Sequence, residues 1–83
     1  MKHLLKTWPE PFAAVVAGYK THEVRVNDRG FKVGDQLELA EYRPDIDKFT
    51  GRVQTVDVTY ISVAGTFGLP IDLCVLSIRR VHP

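Results

Sequence analysis

Apolar positions recur along the chain with two different periods, and the switches between them divide it into six short elements. HLLKT, His3 to Thr7, reads as a first strand that Pro9 and Pro11 stop. Phe12, Val15 and Val16 then recur at helical spacing. The two prolines suit a first turn and Gly18 stands where a left-handed cap residue is needed, so the spacing predicts a helix over about Pro9 to Ala17. The period returns to two in HEVRV, His22 to Val26, with Val24 and Val26 on one face and Glu23 and Arg25 on the other. Asn27, Asp28 and Gly30 form a turn cluster, and Gly34 and Asp35 a tight turn into QLELAEY, a third strand with Leu37 and Leu39 inward. RPDIDKFTG reads as a polar hairpin connection. RVQTVDVTYIS, Arg52 to Ser62, is then the longest strand, with Val56, Val58 and Tyr60 on one face, and it is expected to pair with the third. The loop AGTFGLP precedes a last strand, Asp72 to Val81, whose apolar residues on both faces from Leu73 to Val75 predict cover on two sides, with the helix as one cover.

Five short strands with one helix between the first and second predict an α+β, mostly β fold: a small, mostly antiparallel, curved sheet or barrel. A chain of 83 residues makes one domain, 1–83, and at this size it buries only about 60% of the surface its unfolded form exposes. Side chains fill a barrel this small, so a ligand is expected in a surface cleft where the helix ends and the second strand begins.

Composition narrows the function classes. A hydrophobic fraction of 45% with 25% charged residues argues for a folded chain over a disordered one. The net charge of +1 lacks the basic field of a non-specific nucleic-acid binder, so an anionic partner must be met by a local patch. Arg79 and Arg80 with Lys20, Arg25, Arg29 and Lys32 offer one, although Glu23, Asp28 and Asp35 are interleaved and a solvated mixed-charge surface is the competing reading. The apolar run FAAVVAG is far below the roughly 18 residues a membrane helix needs, and no apolar signal core opens the sequence, so no membrane partner and a cytoplasmic location are expected by default. Cys74 has no disulfide partner and lies inside LCVL, the setting of a small buried hydrophobe. His3, His22, His82 and Cys74 lack metal-ligand spacing, and Gly65 and Gly68 precede no helix that would make a phosphate-binding loop. No metal or other cofactor is expected.

LKTWPEPFAAVVAGYKTHEVR followed by FKVGDQLEL resembles the ASCH domain, a PUA-like barrel. The family pattern of a lysine closing strand one, a helix, G-x-K-x-x-E-x-R and a G-D opening a strand matches Lys6, Gly18, Lys20, Glu23, Arg25, Gly34 and Asp35. NDRGFKVGD further resembles a compact bacterial and phage branch whose members are named only as domains of unknown function. The resemblance covers Leu4 to about Tyr60 and implies RNA or modified-nucleoside binding.

On that implication the charges after the helix share a purpose. Thr21, Glu23 and Arg25 lie on one strand face and Lys20 stands at the helix-to-strand junction. Arg25 offers a planar donor fork, Lys20 a point charge, and Glu23 an acceptor for an exocyclic amine. Lys6, Arg29 and Lys32 add positive charge, and Trp8 and Tyr19 flank the helix with faces on which a base stacks, Trp8 being equally suited to cap the core. The structural alternative is that Glu23 and Arg25 simply pair, a contact worth about 0 to 1 kcal/mol when exposed. Glu41 shares the parity of Leu37 and Leu39, so it either lines the same cleft or emerges at its strand's end, the second being the favoured expectation.

Two function classes follow. The first is a binding module for RNA or a nucleotide beside Lys20 and Arg25. The second is a small amidohydrolase acting on an acylated nucleoside, with Lys20 and Glu23 as catalytic groups. ASCH relatives of that kind carry threonine where Glu23 stands, and the segment between strands four and five is too short for the helix that brings their glutamate, so binding is the favoured expectation. A third reading is a phage or mobile-element accessory protein acting through protein contacts. Oligomeric state is left open, since edge strands permit dimers.

Overall fold

A computed structural model describes residues 1–63 and 68–81. Gly65 and His82 lie outside the described residues. The elements run β1 (Lys2–Thr7), α1 (Pro9–Val16), β2 (His22–Val26), β3 (Gln36–Arg43), β4 (Lys48–Ser62) and β5 (Leu73–Arg80). The five strands make a single sheet in the order β1-β3-β4-β5-β2, curled into a half-barrel with α1 as its only helix among the described residues. β1 runs parallel to β3, and every other pairing is antiparallel.

Alternation on β1 buries His3, Leu5 and Thr7 and exposes Lys2, Leu4 and Lys6, which fixes its inner face. Leu37 and Leu39 of β3, Val56 and Val58 of β4, and Cys74, Leu76 and Ile78 of β5 complete the inner layer. An eight-residue helix is too short to hold itself in water, and α1 is held by burying Phe12 and Val15 against that layer. It packs mainly on β3 and β4. β5 is therefore not sandwiched as the run of apolar residues predicts: Leu73 and Val75 are only half-buried.

Two further departures have local causes. β4 begins at Lys48, four residues before the expected Arg52, because the supposed connection continues the hairpin, with Tyr42 opposite Phe49 and their rings edge-to-face at 5.2 Å. A bulge between Val58 and Tyr60 shifts the register, so Tyr60 is exposed while Val56 and Val58 stay buried. On β2 the polar row is the one turned inward: Glu23 is 5% exposed, whereas Val24 and Val26 are each 49% exposed.

Both ends of α1 are sequence-determined. Trp8 is the N-cap residue without a side-chain acceptor, but Pro9 and Pro11 have no N–H and Phe12 N–H reaches the Trp8 carbonyl at 2.9 Å, so few donors need a partner. At the other end Gly18 takes φ +86°, its N–H donates to the Val15 carbonyl at 3.0 Å, and Arg80 Nη1 donates to the Val16 carbonyl at 2.6 Å. That turn delivers the chain into β2.

Because β1 and β2 are the two sheet edges, curling brings them face to face without a backbone ladder. Two arginines bridge the seam: Arg25 Nη2 donates to the Lys6 carbonyl at 3.0 Å and Arg29 Nη1 to the Leu4 carbonyl at 2.8 Å. At the far end of β1, His3 Nε2–H donates to Asp35 at 2.9 Å, the Lys32 N–H donates to the same carboxylate at 3.0 Å, and the His3 ring meets Phe31 edge-on at 4.9 Å.

Candidate functional site

The C-terminal end of β1, the start of α1 and the start of β2 enclose a cleft of about 310 Å³, walled chiefly by Thr7, Trp8, Lys20, Glu23 and Arg25. Chain geometry forces this meeting. α1 leaves β1 at Trp8 and returns at Gly18, and β2 lies across the seam, so Lys20, two residues after Gly18, faces the end of β1.

Glu23 is the centre of the arrangement. Its inward position on β2 buries the carboxylate, and Lys20 Nζ donates to Oε2 at 2.9 Å and to the His22 carbonyl at 2.5 Å. Oε1 is buried and accepts no hydrogen bond among the described residues; Arg25 Nη2 stands 3.6 Å away, an ion-pair distance with that guanidinium turned to β1 instead. An unsatisfied buried acceptor costs roughly 1–3 kcal/mol, which a donor from a bound molecule would recover. This corrects the view of Glu23 and Arg25 as an exposed surface pair, since the acid is buried and its main partner is Lys20.

A second buried acid lies on β3. Glu41 stands opposite Thr7 in the parallel register, is 7% exposed, accepts from Thr50 Oγ1 at 2.7 Å and lies 3.8 Å from Arg52 Nη1. It therefore does not emerge into solvent at its strand's end. Its parity with Leu37 and Leu39 sets its side chain on the inner face and is the signal that marks it, since the register shift between Ala40 and Tyr42 places the extra residues on β4. Arg52, which the sequence reading passed over, lies 5.1 Å from the Phe12 ring centroid and so spans from the helix to Glu41. Thr7 and Thr50 were likewise missed, being short polar side chains with no periodic signal; Arg25 Nη2 reaches Thr7 Oγ1 at 3.5 Å.

The cations and aromatics distribute unevenly. Lys20, Glu23, Arg25 and Trp8 converge on the cleft, with Trp8 62% exposed at its rim. Lys6 contributes to the wall, while its ammonium lies 4.4 Å over the Tyr42 ring. Arg29 lies further along the seam, on the Leu4 carbonyl. Tyr19 is 89% exposed and does not line the cleft. Lys32 sits beside Asp35 at the opposite end of β1 from the cleft. With Lys20 and Arg25 beside the unpartnered Glu23 oxygen, and at most one free N–H in the first turn of α1, the site suits a ligand carrying both donors and negative charge better than a bare phosphate. No cluster of His, Cys, Asp and Glu among the described residues suits a metal ion.

A family model described as "Domain of unknown function (DUF3850)" matches residues 2–78. Among solved structures, the crystal structure of hypothetical protein PH0355 is similar with a TM-score of 0.67 and 17% identity, over 98% of this chain and 100% of that one. That likeness is one of fold. No curated protein matches the chain.

Proposed function

The chain belongs to the DUF3850 family, and from the geometry of its cleft we propose that it is a binding module for RNA or a nucleotide. The observation that supports this most is the buried, unpartnered Oε1 of Glu23 beside the Arg25 guanidinium. An acceptor next to a planar donor fork complements the donor–acceptor edge of a nucleobase, Trp8 offers a stacking face, and Lys20 supplies charge toward a phosphate. On this reading the half-barrel is of the ASCH, PUA-like kind that Lys6, Gly18, Lys20, Glu23, Arg25, Gly34 and Asp35 resemble.

One observation favours a second reading. Lys20 and Glu23 in contact at 2.9 Å place an amine beside a carboxylate, the two groups a hydrolase reading needs, with the carboxylate standing where ASCH relatives of that kind carry threonine. Against it, Lys20 Nζ donates to both the Glu23 carboxylate and the His22 carbonyl, so it is committed as a hydrogen-bond donor and is not presented as a nucleophile.

Titration of the protein with short RNA, short DNA and free nucleotides at several salt concentrations tests the first reading, with N4-acetylcytidine in the same panel. Saturable, salt-dependent binding is expected. Arg25→Ala is expected to cost about 1–3 kcal/mol and relax base preference, and Lys20→Ala to weaken all sequences alike and flatten the salt slope by about one. Absence of binding across the panel overturns the proposal, and release of cytidine that Lys20→Ala abolishes replaces it with the second.

A further inference from the structure

The outer face of the sheet carries a dish of about 220 Å³ with almost wholly apolar walls, formed by Leu4, Ala40, Phe49, Gly51 and Val53 together with Arg52. Leu4 of β1 and Phe49 and Val53 of β4 are each at least half exposed, with Ala40 of β3 between the two strands. Gly51 has nothing within 4 Å of where a Cβ would stand, so the floor is flat and open. At its edge Lys6 lays its ammonium 4.4 Å over Tyr42 and 5.9 Å from Phe49, and no carboxylate pairs with it among the described residues.

We propose that this dish is a second base-stacking subsite, and that the ligand is a single-stranded oligonucleotide crossing the β1 edge, not a lone nucleotide. The inference rests on the nucleic-acid reading above. Lys6 joins the two sites: it contributes to the wall of the Glu23 cleft and its ammonium borders the dish. A strand leaving the cleft over β1 passes this free cation with a phosphate and meets exposed Phe49 with its next base. An aromatic face and an ammonium with no carboxylate partner are the elements by which single strands are held without base selectivity. An apolar peptide or a second copy of the chain would use the dish walls but has no need of the ammonium.

The test compares tetranucleotide RNAs with the corresponding nucleoside 5′-monophosphates, on wild type, Phe49→Ala and Val53→Glu. Val53→Glu leaves the Tyr42–Phe49 ring contact intact, and circular dichroism verifies folding. The tetramer is expected to bind about 5- to 150-fold more tightly than the monophosphate, the range of one stacked base, with both variants losing that advantage and keeping monophosphate affinity. Equal affinity for tetramer and monophosphate, or an advantage that survives both variants, overturns the second subsite and leaves the cleft proposal standing. Binding of neither ligand removes both. Concentration-dependent dimerisation of the wild type that Val53→Glu abolishes assigns the dish to a second copy and also overturns the inference.

Discussion

Replacing Asp35 by Asn should remove a stabilisation that depends on pH, and its size follows from the packing around that carboxylate. The carboxyl is held at about 2, against an ordinary 3.8, chiefly by the hydrogen bond from His3, with the Lys32 N–H and the α-amino group of Met1 adding to it and burial opposing. The gap from 3.8 to about 2, at about 1.4 kcal/mol per pH unit, amounts to roughly 2 kcal/mol of folding free energy. A carboxyl whose folded value lies below its unfolded one contributes in full above the unfolded value. The contribution is then lost as pH falls through 3.8 toward 2. Urea unfolding of wild type and Asp35→Asn, from about pH 6 to about pH 2, checks it. The wild-type advantage should be steady above about pH 5 and shrink by roughly 2 kcal/mol at the acid end. An advantage that does not change over that range would falsify the assignment of the stabilisation to the ionised carboxylate.

Two further outcomes are expected. Gly18→Val forces a branched side chain to φ +86° and sets its Cβ 3.1 Å from Arg80 Nη2, so it should cost about 2 kcal/mol in urea midpoint analysis; a loss below about 0.5 kcal/mol would remove the cap argument. Burial first, and the Asp28 charge second, push the Cys74 thiol up. Ellman's reagent at pH 8 should therefore react with the native protein far more slowly than with urea-unfolded chain, and equal rates would show that the thiol is accessible.

What the sequence made legible follows the strength of local signals. β2 was readable to the residue, and α1 to within one, because period, proline and glycine signals coincide there. The early start of β4 was not, since Lys48, Thr50 and Gly51 look like turn residues and only the cross-strand Tyr42–Phe49 pair explains their extension. Tyr60 was assigned to the wrong side because a bulge leaves no mark in the hydrophobic pattern. On β2 the parity was readable, but which face is buried was not: two valines outrank a glutamate and an arginine on any hydropathy argument. The polar row turns inward because Lys20, Arg25 and the end of β1 supply its partners. For the same reason the convergence of Lys20, Glu23 and Arg25 was foreseeable from spacing and a short helix, whereas Glu41, Thr50 and Arg52 enter through strand pairing that is not local in sequence.

The arginine bridges across the seam have a dynamic consequence. In the antiparallel pairing of β2 with β5, Thr21 and Asn27 sit on the ladder side, which turns the backbone of His22, Val24 and Val26 toward the seam, and two side-chain bonds stand there in place of a strand ladder. Separating β1 from β2 thus requires rotamer changes at Arg25 and Arg29, not the breaking of a sheet. The mouth of the half-barrel is free to breathe on the timescale of side-chain motion while β3, β4 and β5 stay closed, and the amides of Leu4, Lys6 and Val24 should exchange with solvent ahead of those in the central strands. A fold built this way keeps its rigid core and its adjustable aperture in different parts of one sheet.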